Sequence, residues 1–220
     1  MEPTIYTISG SPRGWRVLLG MVIKGLDMKV KYLSLSDGEH KSDMYLEINP
    51  RGRVPSLVAG DVVITDSLAI LAWFDRQFPE RPLFGTNPEE HARIWSATRD
   101  TTDKLRDGMN GLLLPIFFKG ADTLTPELRE AADTVMYELQ WLENRLDGQR
   151  YMAGDNPSAA DAVSYPEVRI LARALETHSE LMTELGFADL DQKFPMGHAW
   201  ARRIEALEGF EKSLPVHWDN

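Results

Sequence analysis

The residues with the clearest chemical potential lie in one short turn, "SGSPRG", where Ser9, Ser11 and Arg13 stand between an apolar segment and an apolar-periodic one. A hydroxyl at the start of a helix can donate a hydrogen bond to an anion, which the positive end of the helix also attracts. Serine without a histidine nearby in the sequence is a poor base, so the expected chemistry is stabilisation of an anion. Serine and proline also simply cap and begin helices. The turn is therefore either an anion site or a connector.

The cysteine count limits the sulfur and metal chemistry open to the chain. Its 220 residues include no cysteine, so it has no disulfide, no thiolate metal ligand and no cysteine nucleophile. Any sulfur chemistry must use a thiol that a ligand supplies. His91, His178, His198 and His217 show no metal-ligand spacing, and none has an obvious acid or nucleophile beside it in the sequence. We expect structural or surface roles for these histidines, and no metal.

Charge and hydropathy exclude several classes of partner. The formal net charge is −10 and the isoelectric point is near 5.0, and no block of Lys and Arg overrides that total. Such a chain repels a phosphate backbone, so nucleic acid is not an expected partner. The first residues lack the pattern of a secretory signal, and no segment approaches the ~18 apolar residues of a membrane span. The sequence predicts a soluble, cytoplasmic protein with no membrane partner.

The elements that must position the turn follow an α/β pattern in the part of the chain before Pro79. A strand, a helix that stops at Gly25 and a second extended segment form a βαβ unit, after which a hairpin and another helix follow. The predicted elements are strand Thr4–Ile8, helix Trp15–Ile23, extended segment Lys29–Leu35, short helix Asp43–Ile48, strands Ser56–Val58 and Val62–Ile64, and helix Ser67–Phe78.

A segment rich in proline and glycine, 80–88, is the clearest linker in the chain, and the pattern beyond it is helical. The helical patterns are Glu89–Phe118, Pro126–Leu146, Ser158–Ala174, Glu180–Leu185 and Pro195–Leu207. The predicted fold class is α/β plus all-α. A mixed four-stranded sheet with helices occupies residues 1–79, and an all-helical domain occupies residues 89–220.

This order of elements, together with several motifs, resembles the cytosolic glutathione transferases over nearly the whole chain. The motif "SGSPRGWR" is similar to the active-site turn of the serine classes, which include the zeta, tau and theta types. "NPRGRVPSLV" resembles the loop that leads to a cis-proline, and "ITDSLAILAWFDRQFPERPLFG" the segment that holds the γ-glutamyl group. "YMAGDNPSAADAVSYPEV" resembles the buried capping motif, and "HAWARRIEALEGFEKSLPVHW" the C-terminal helix and tail of bacterial members.

The resemblance implies that Ser11 stabilises the thiolate of glutathione. Counting back from Arg16 matches the serine of the zeta and tau classes, and a one-residue difference in the theta-type turn leaves Ser9 as the alternative. The hydroxyl would donate a hydrogen bond to the sulfur and so lower the pKa of the thiol. Each pH unit of that change requires ~1.4 kcal/mol, which one charge-assisted hydrogen bond and a helix terminus can supply. No histidine is needed for this chemistry.

A second implied element is a cis peptide bond between Val54 and Pro55. That bond would turn the backbone N–H and C=O of Val54 outward, where they can pair with the cysteinyl part of glutathione as an added strand would. Physical chemistry alone favours the trans form, because only ~5 to 6% of X-Pro bonds in folded proteins are cis. The alternative is a proline that simply begins an edge strand.

The other implied contacts concern the two ends of glutathione. Ser67, at a helix start, would offer its hydroxyl and N–H to a carboxylate, and Asp66 would attract the α-amino group, although an ordinary N-cap uses the same groups. Lys41 matches the tau-type lysine that pairs with the glycine carboxylate. Arg53 is a further candidate at that end, and His40 is an alternative in the same loop as Lys41.

The resemblance also implies a pocket for an apolar electrophile, to which the helical domain contributes. Its candidate residues are Arg13, Trp15, Met109, Leu112 and Phe117, and for the apolar ones ordinary helix packing is the alternative. Arg13 departs from the family pattern, and either reaches into the site or faces solvent.

The implied activity is addition of the glutathione thiolate to small apolar electrophiles in detoxification, by a cytoplasmic homodimer that uses glutathione as co-substrate. The alternatives are a glutathione-dependent isomerase, a dehalogenase or an ether-cleaving enzyme. A further alternative is a non-catalytic ligand-binding protein of the same fold.

Overall fold

The computed structural model describes residues 2–218, which fold into two compact units. The first unit runs to Thr86 and takes in the chain again from Ala206, and the second unit is Asn87–Glu205. The junction between Thr86 and Asn87 falls inside the predicted linker 80–88.

The first unit is built on four described strands, β1 Thr4–Thr7, β2 Lys29–Tyr32, β3 Ser56–Ala59 and β4 Val62–Ile64. They form one sheet in the order β2-β1-β3-β4. β1 pairs in parallel with β2 and antiparallel with β3, and β3 pairs antiparallel with β4. The parallel pair comes from the βαβ unit and the antiparallel pair from the hairpin, which confirms the predicted mixed sheet.

Three helices complete this sheet unit, α1 Pro12–Lys24, α2 Asp43–Ile48 and α3 Ser67–Gln77. The start of α1 lies directly on the end of β1. A Cβ added to Gly14 would overlap Thr7 Oγ1, so only glycine permits this approach. The close contact fixes the turn between β1 and α1, which carries Ser9 and Ser11.

The second unit is helical, and within Asn87–Glu205 the only extended pairing is a single bridge between Tyr151 and Gly154. Its helices are α4 Pro88–Asp100, α5 Arg106–Lys119, α6 Pro126–Arg145, α7 Ala159–Thr177, α8 Ser179–Glu184, α9 Leu190–Lys193 and α10 Pro195–Glu205. Of the helices that the structure describes, none is long and apolar enough to cross a membrane. The sheet unit and this helical unit together confirm the predicted α/β plus all-α fold class.

The predicted helix Glu89–Phe118 is divided in the structure. A π-helical turn, Thr101–Leu105, joins α4 to α5. At this turn Thr101 Oγ1 lies 2.7 Å from Ser164 Oγ. Arg106 then donates to both carboxylate oxygens of Glu167, at 2.8 and 3.0 Å. These polar contacts between α5, the π turn and α7 stabilise a wider turn that apolar periodicity does not reveal.

The start of α7 is a buried polar cluster centred on Asp161. Ser158 and Asp161 have the spacing of a capping box, and the structure forms it. The Asp161 carboxylate accepts from the backbone N–H of Met152 and of Ser158 and from the Ser158 hydroxyl, at 2.8 to 2.9 Å. It also accepts from Trp200 Nε1 at 2.8 Å. The cluster ties together α7, α10 and the loop before α7.

Residues 206–218 pack with the first unit, whereas the sequence analysis placed them in the helical domain 89–220. A 3₁₀ turn, Phe210–Ser213, follows α10. Ser213 Oγ accepts from Trp15 Nε1 at 3.3 Å. The Trp218 ring meets the Trp15 ring edge-on, with centroids 5.2 Å apart. These contacts with α1 explain why the tail belongs to the sheet unit.

Candidate functional site

Ser11 is the N-cap of α1, and Pro12 is the first residue of the helix. Its Oγ accepts from the Gly14 N–H at 3.3 Å, and its own N–H donates to Ile8 O at 3.0 Å. The cap uses a lone pair of the hydroxyl, so the hydroxyl hydrogen remains available to a second acceptor. The side chain is partly exposed. The same serine can therefore cap the helix and donate to an anion at its positive end.

The hydroxyl of Ser9 is engaged elsewhere. Its Oγ lies 2.8 Å from His217 Nδ1. The contact joins residues 208 positions apart, so the neighbours of His217 in the sequence do not indicate it. Between the two candidate serines, this arrangement favours Ser11 as the donor to a bound sulfur.

The Val54–Pro55 peptide bond is cis, as the resemblance implies. Pro55 is buried at the start of β3 and Val54 is partly exposed. The Val54 backbone therefore stands at the edge of the loop that precedes β3, where a peptide ligand can reach it.

Two buried side chains hold this loop, and the sequence analysis did not single out either of them. Asn49 Nδ2 donates to Arg53 O at 2.6 Å, and Asn49 Oδ1 accepts from the Arg51 N–H at 3.1 Å. The Tyr45 hydroxyl also donates to Arg53 O, at 2.7 Å, and lies 2.8 Å from Ser56 Oγ. Burial raises the pKa of the Tyr45 phenol, which keeps it a donor at neutral pH. The available signal was the Asn-Pro pair after the short helix α2.

Lys41 lies across the same loop. Its Nζ donates to Arg51 O at 3.3 Å and lies 2.7 Å from the position that a Cβ on Gly52 would take. Lys41 and Arg53 are both exposed. The loop that ends at Val54 therefore includes one exposed cation, Arg53, and is contacted by a second, Lys41.

At the start of α3, Asp66 is the N-cap. Its Oδ1 accepts from the Leu68 and Ala69 N–H groups, at 2.9 and 3.0 Å. The carboxylate is exposed, and these bonds leave Oδ2 as its other acceptor. Capping and attraction of an ammonium group are therefore compatible at Asp66.

Ser67, the first residue of α3, is buried beside a positive charge. Its Oγ lies 3.5 Å from Arg16 Nη1, and the Arg16 side chain is itself buried in α1. The sequence analysis used Arg16 only to align the turn. The signal for its role was an arginine between Trp15 and Val17, in the apolar part of the helix. The guanidinium and the start of α3 together make Ser67 a favourable place for a carboxylate.

The candidate electrophile residues have different surroundings. Met109 and Leu112 are 1% and 0% exposed, and Trp15 is 2% exposed, so their burial favours the packing alternative. Phe117 is 36% exposed and its ring lies edge-on to His178, with centroids 5.6 Å apart. Arg13 is exposed on the first turn of α1. Phe117 and Arg13 are therefore the candidates that a ligand could reach.

The described residues 2–218 contain no candidate metal site. No group of three or more His, Asp or Glu side chains there could hold a metal ion. The cluster around Asp161 is made of donors to the carboxylate and serves the fold.

Two family models match the chain, "Glutathione S-transferase, N-terminal domain" over residues 10–77 and "Glutathione S-transferase, C-terminal domain" over residues 105–208. The chain is 33% identical over 168 residues to glutathione S-transferase 1 of Dianthus caryophyllus, which covers 74% of this chain and 75% of the relative. It is 31% identical over 202 residues to glutathione S-transferase theta-2B of Homo sapiens, in a match that covers 88% of this chain and 76% of the relative.

Solved structures give the same picture of the fold. A glutathione S-transferase from the Antarctic clam Laternula elliptica matches with a TM-score of 0.85 and 29% identity, over 100% of this chain and 95% of that chain. The glutathione transferase URE2P6 from Phanerochaete chrysosporium, in complex with oxidized glutathione, matches with a TM-score of 0.82 over 96% of this chain and 94% of that chain. The second structure is 20% identical and supports the fold alone.

Proposed function

The chain belongs to the glutathione S-transferase family and is an enzyme, and we propose that it adds the thiolate of glutathione to small apolar electrophiles. The observation that carries the proposal is Ser11 at the N-terminus of α1. Its hydroxyl accepts from Gly14 at 3.3 Å and keeps its hydrogen for the sulfur. Because a hydrogen bond to the ionised form favours that form, the thiol of bound glutathione loses its proton at a lower pH.

The rest of glutathione has a complementary set of partners in the first unit. The Val54 backbone beside the cis bond would pair with the cysteinyl residue. Ser67, supported by Arg16 at 3.5 Å, would bind the γ-glutamyl carboxylate, and Asp66 would bind its ammonium group. Lys41 and Arg53 would attract the glycine carboxylate. Each charged group of the tripeptide then has a partner of opposite charge or a donor.

Holding glutathione and the electrophile together supplies a further part of the acceleration, because a bimolecular step becomes a local one. Arg13, which is exposed on the first turn of α1, is proposed to contact the electrophile. The family resemblance also supports detoxification in the cytoplasm, by a homodimer, as part of this proposal.

The experiment that tests the proposal incubates the protein with glutathione and a panel of small apolar electrophiles. Mass spectrometry then follows both the adduct and the remaining glutathione. We expect the adduct to form as glutathione is consumed. Conversion of substrate with glutathione returned unchanged would instead support an isomerase. Binding of glutathione without turnover would support a carrier.

A related prediction concerns Asn49, which holds the loop before Val54. Asn49→Ala removes the 2.6 Å bond to Arg53 O and the 3.1 Å bond from Arg51 N–H, so the Val54 backbone is less well positioned. We expect KM for glutathione to rise about fivefold while kcat changes less than about twofold, because the lost contacts serve binding. Steady-state kinetics with varied glutathione measure both constants.

The matched control for Asn49→Ala is Asn144→Ala. Asn144 is exposed and accepts from Gln140 Nε2 at 3.0 Å in the helical unit. The Asn144→Ala substitution should leave KM and kcat unchanged. An unaltered KM in Asn49→Ala would show that the loop is held without Asn49.

A further inference from the structure

The C-terminal tail brings a histidine to the turn that carries both candidate serines. His217 Nδ1 lies 2.8 Å from Ser9 Oγ, a good distance for a hydrogen bond between a ring nitrogen and a hydroxyl. The catalytic chemistry proposed for Ser11 does not use this histidine. Its position therefore asks for a separate explanation.

The imidazole packs closely against the turn. Gly10 has a φ of 78°, and a Cβ added there would lie 2.8 Å from His217 Cε1. Any larger residue at position 10 would be strained and would displace the ring. The turn and the tail enclose a cavity of only about 10 Å³, which is roughly the room that one water needs. The turn and the tail therefore leave little free space between them, and His217 approaches the turn closely at Gly10.

The tail is anchored on both sides of this contact. Before His217, Ser213 Oγ accepts from Trp15 Nε1 at 3.3 Å. After it, the Trp218 ring packs edge-on against Trp15, with centroids 5.2 Å apart. Trp15 belongs to α1, the helix that Ser11 caps. The tail therefore contacts α1 through Trp15, while His217 contacts Ser9, three residues before α1 begins.

Ser9 is linked to Ser11 through the backbone of the turn. The Ser11 N–H donates to Ile8 O at 3.0 Å, which closes a tight turn around Ser9 and Gly10. A displacement of Ser9 would therefore move the Ser11 hydroxyl relative to a bound sulfur. The His217 ring restrains this displacement.

We propose that His217 is a positioning residue of the glutathione site, which acts through the Ser9 hydroxyl to hold the turn that presents Ser11. This inference rests on the proposed function. The hydrogen bond between His217 and Ser9 orients the turn, and the Trp15 contacts keep the tail in place. The tail thereby completes a site whose other residues all come from the first 67 positions of the chain.

The experiment is a double-mutant cycle in the full-length protein, made of Ser9→Ala, His217→Phe and the two together. Phenylalanine keeps a ring over Gly10 and removes the hydrogen bond. We expect each single variant to lower kcat/KM for glutathione about fivefold. The double variant should lose no more activity than the more impaired single variant, because the two substitutions remove the same contact. His217→Gln keeps a side-chain hydrogen-bonding group and should retain most of the activity.

The control variant is His91→Phe, because His91 is an exposed histidine on α4. Its kcat/KM should match that of the wild-type protein. A wild-type kcat/KM in His217→Phe, or losses that multiply in the double variant, would overturn the inference. Failure of the proposed function is distinguishable, because the wild-type protein itself would then form no adduct. In that case the same variants are compared by their Kd for glutathione. Independent effects of the two substitutions on this Kd would again overturn the role of His217.

Discussion

We expect Ser11→Ala to lower kcat/KM for glutathione conjugation about 10- to 100-fold, which corresponds to the ~1.5 to 3 kcal/mol of one hydrogen bond to a charged group. The hydroxyl donates to the sulfur mainly when the sulfur is ionised, so its loss raises the barrier to forming the nucleophile. Affinity for glutathione should change less, because the Val54 backbone, Ser67 and Lys41 do not depend on Ser11. Initial rates with varied glutathione and a fixed electrophile separate the two effects.

Ser11→Ala also removes an N-cap, which costs about 1 kcal/mol of stability, so a control for capping is needed. Thr125 caps α6 by accepting from the Leu128 N–H at 3.2 Å. Thr125→Ala should lose similar stability and keep full activity. Ser11→Thr keeps a hydroxyl and should retain more activity than Ser11→Ala. If Ser9→Ala instead showed the larger loss, the assignment of the two serines would have to be exchanged.

The second large effect is on stability. Asp161→Ala should reduce the free energy of unfolding by about 4 kcal/mol, because it leaves three buried N–H donors without their acceptor and each costs ~1 to 3 kcal/mol. These donors are the backbone N–H groups of Met152 and Ser158 and the indole N–H of Trp200. Urea unfolding measures the change. Since single domains are stable by only ~5 to 15 kcal/mol, the variant should also express poorly.

Asp161→Asn supplies a graded comparison. The amide keeps one acceptor oxygen, which can serve Met152 and Trp200, while its NH₂ group opposes the Ser158 N–H. We expect an intermediate loss. Asn87→Ala removes an exposed N-cap, where Asn87 Oδ1 accepts from Glu90 N–H at 2.9 Å, and should cost about 1 kcal/mol. Equal losses in Asp161→Ala and Asn87→Ala would mean that the buried cluster contributes no more than one cap.

Local sequence signals predicted much of the fold because they act over a few residues. The short helix α2 has the predicted bounds Asp43–Ile48, with a Ser42 cap before it and Asn49-Pro50 after it. The hairpin strands also lie where two β-rich runs flank a glycine turn. Apolar periodicity did not predict the π turn Thr101–Leu105, since one wider turn leaves the apolar spacing almost unchanged.

The site shows the same division between local and distant contacts. The cap at Asp66 and the hydroxyl of Ser11 follow from neighbouring residues. The cis bond at Pro55 was predicted only from the family resemblance, because physical chemistry alone favours the trans form. Contacts such as His217 with Ser9 exist only once the chain has folded, and no spacing rule could predict them.

The central claim is that Ser11 stabilises the thiolate, and the most direct test is an ultraviolet difference titration of glutathione bound to the protein. We predict that the thiolate absorbance appears at a lower pH than for free glutathione. In Ser11→Ala the titration should move back toward the free ligand by about one pH unit, the equivalent of ~1.4 kcal/mol. A titration in Ser11→Ala that superimposes on that of the wild-type protein would contradict the claim.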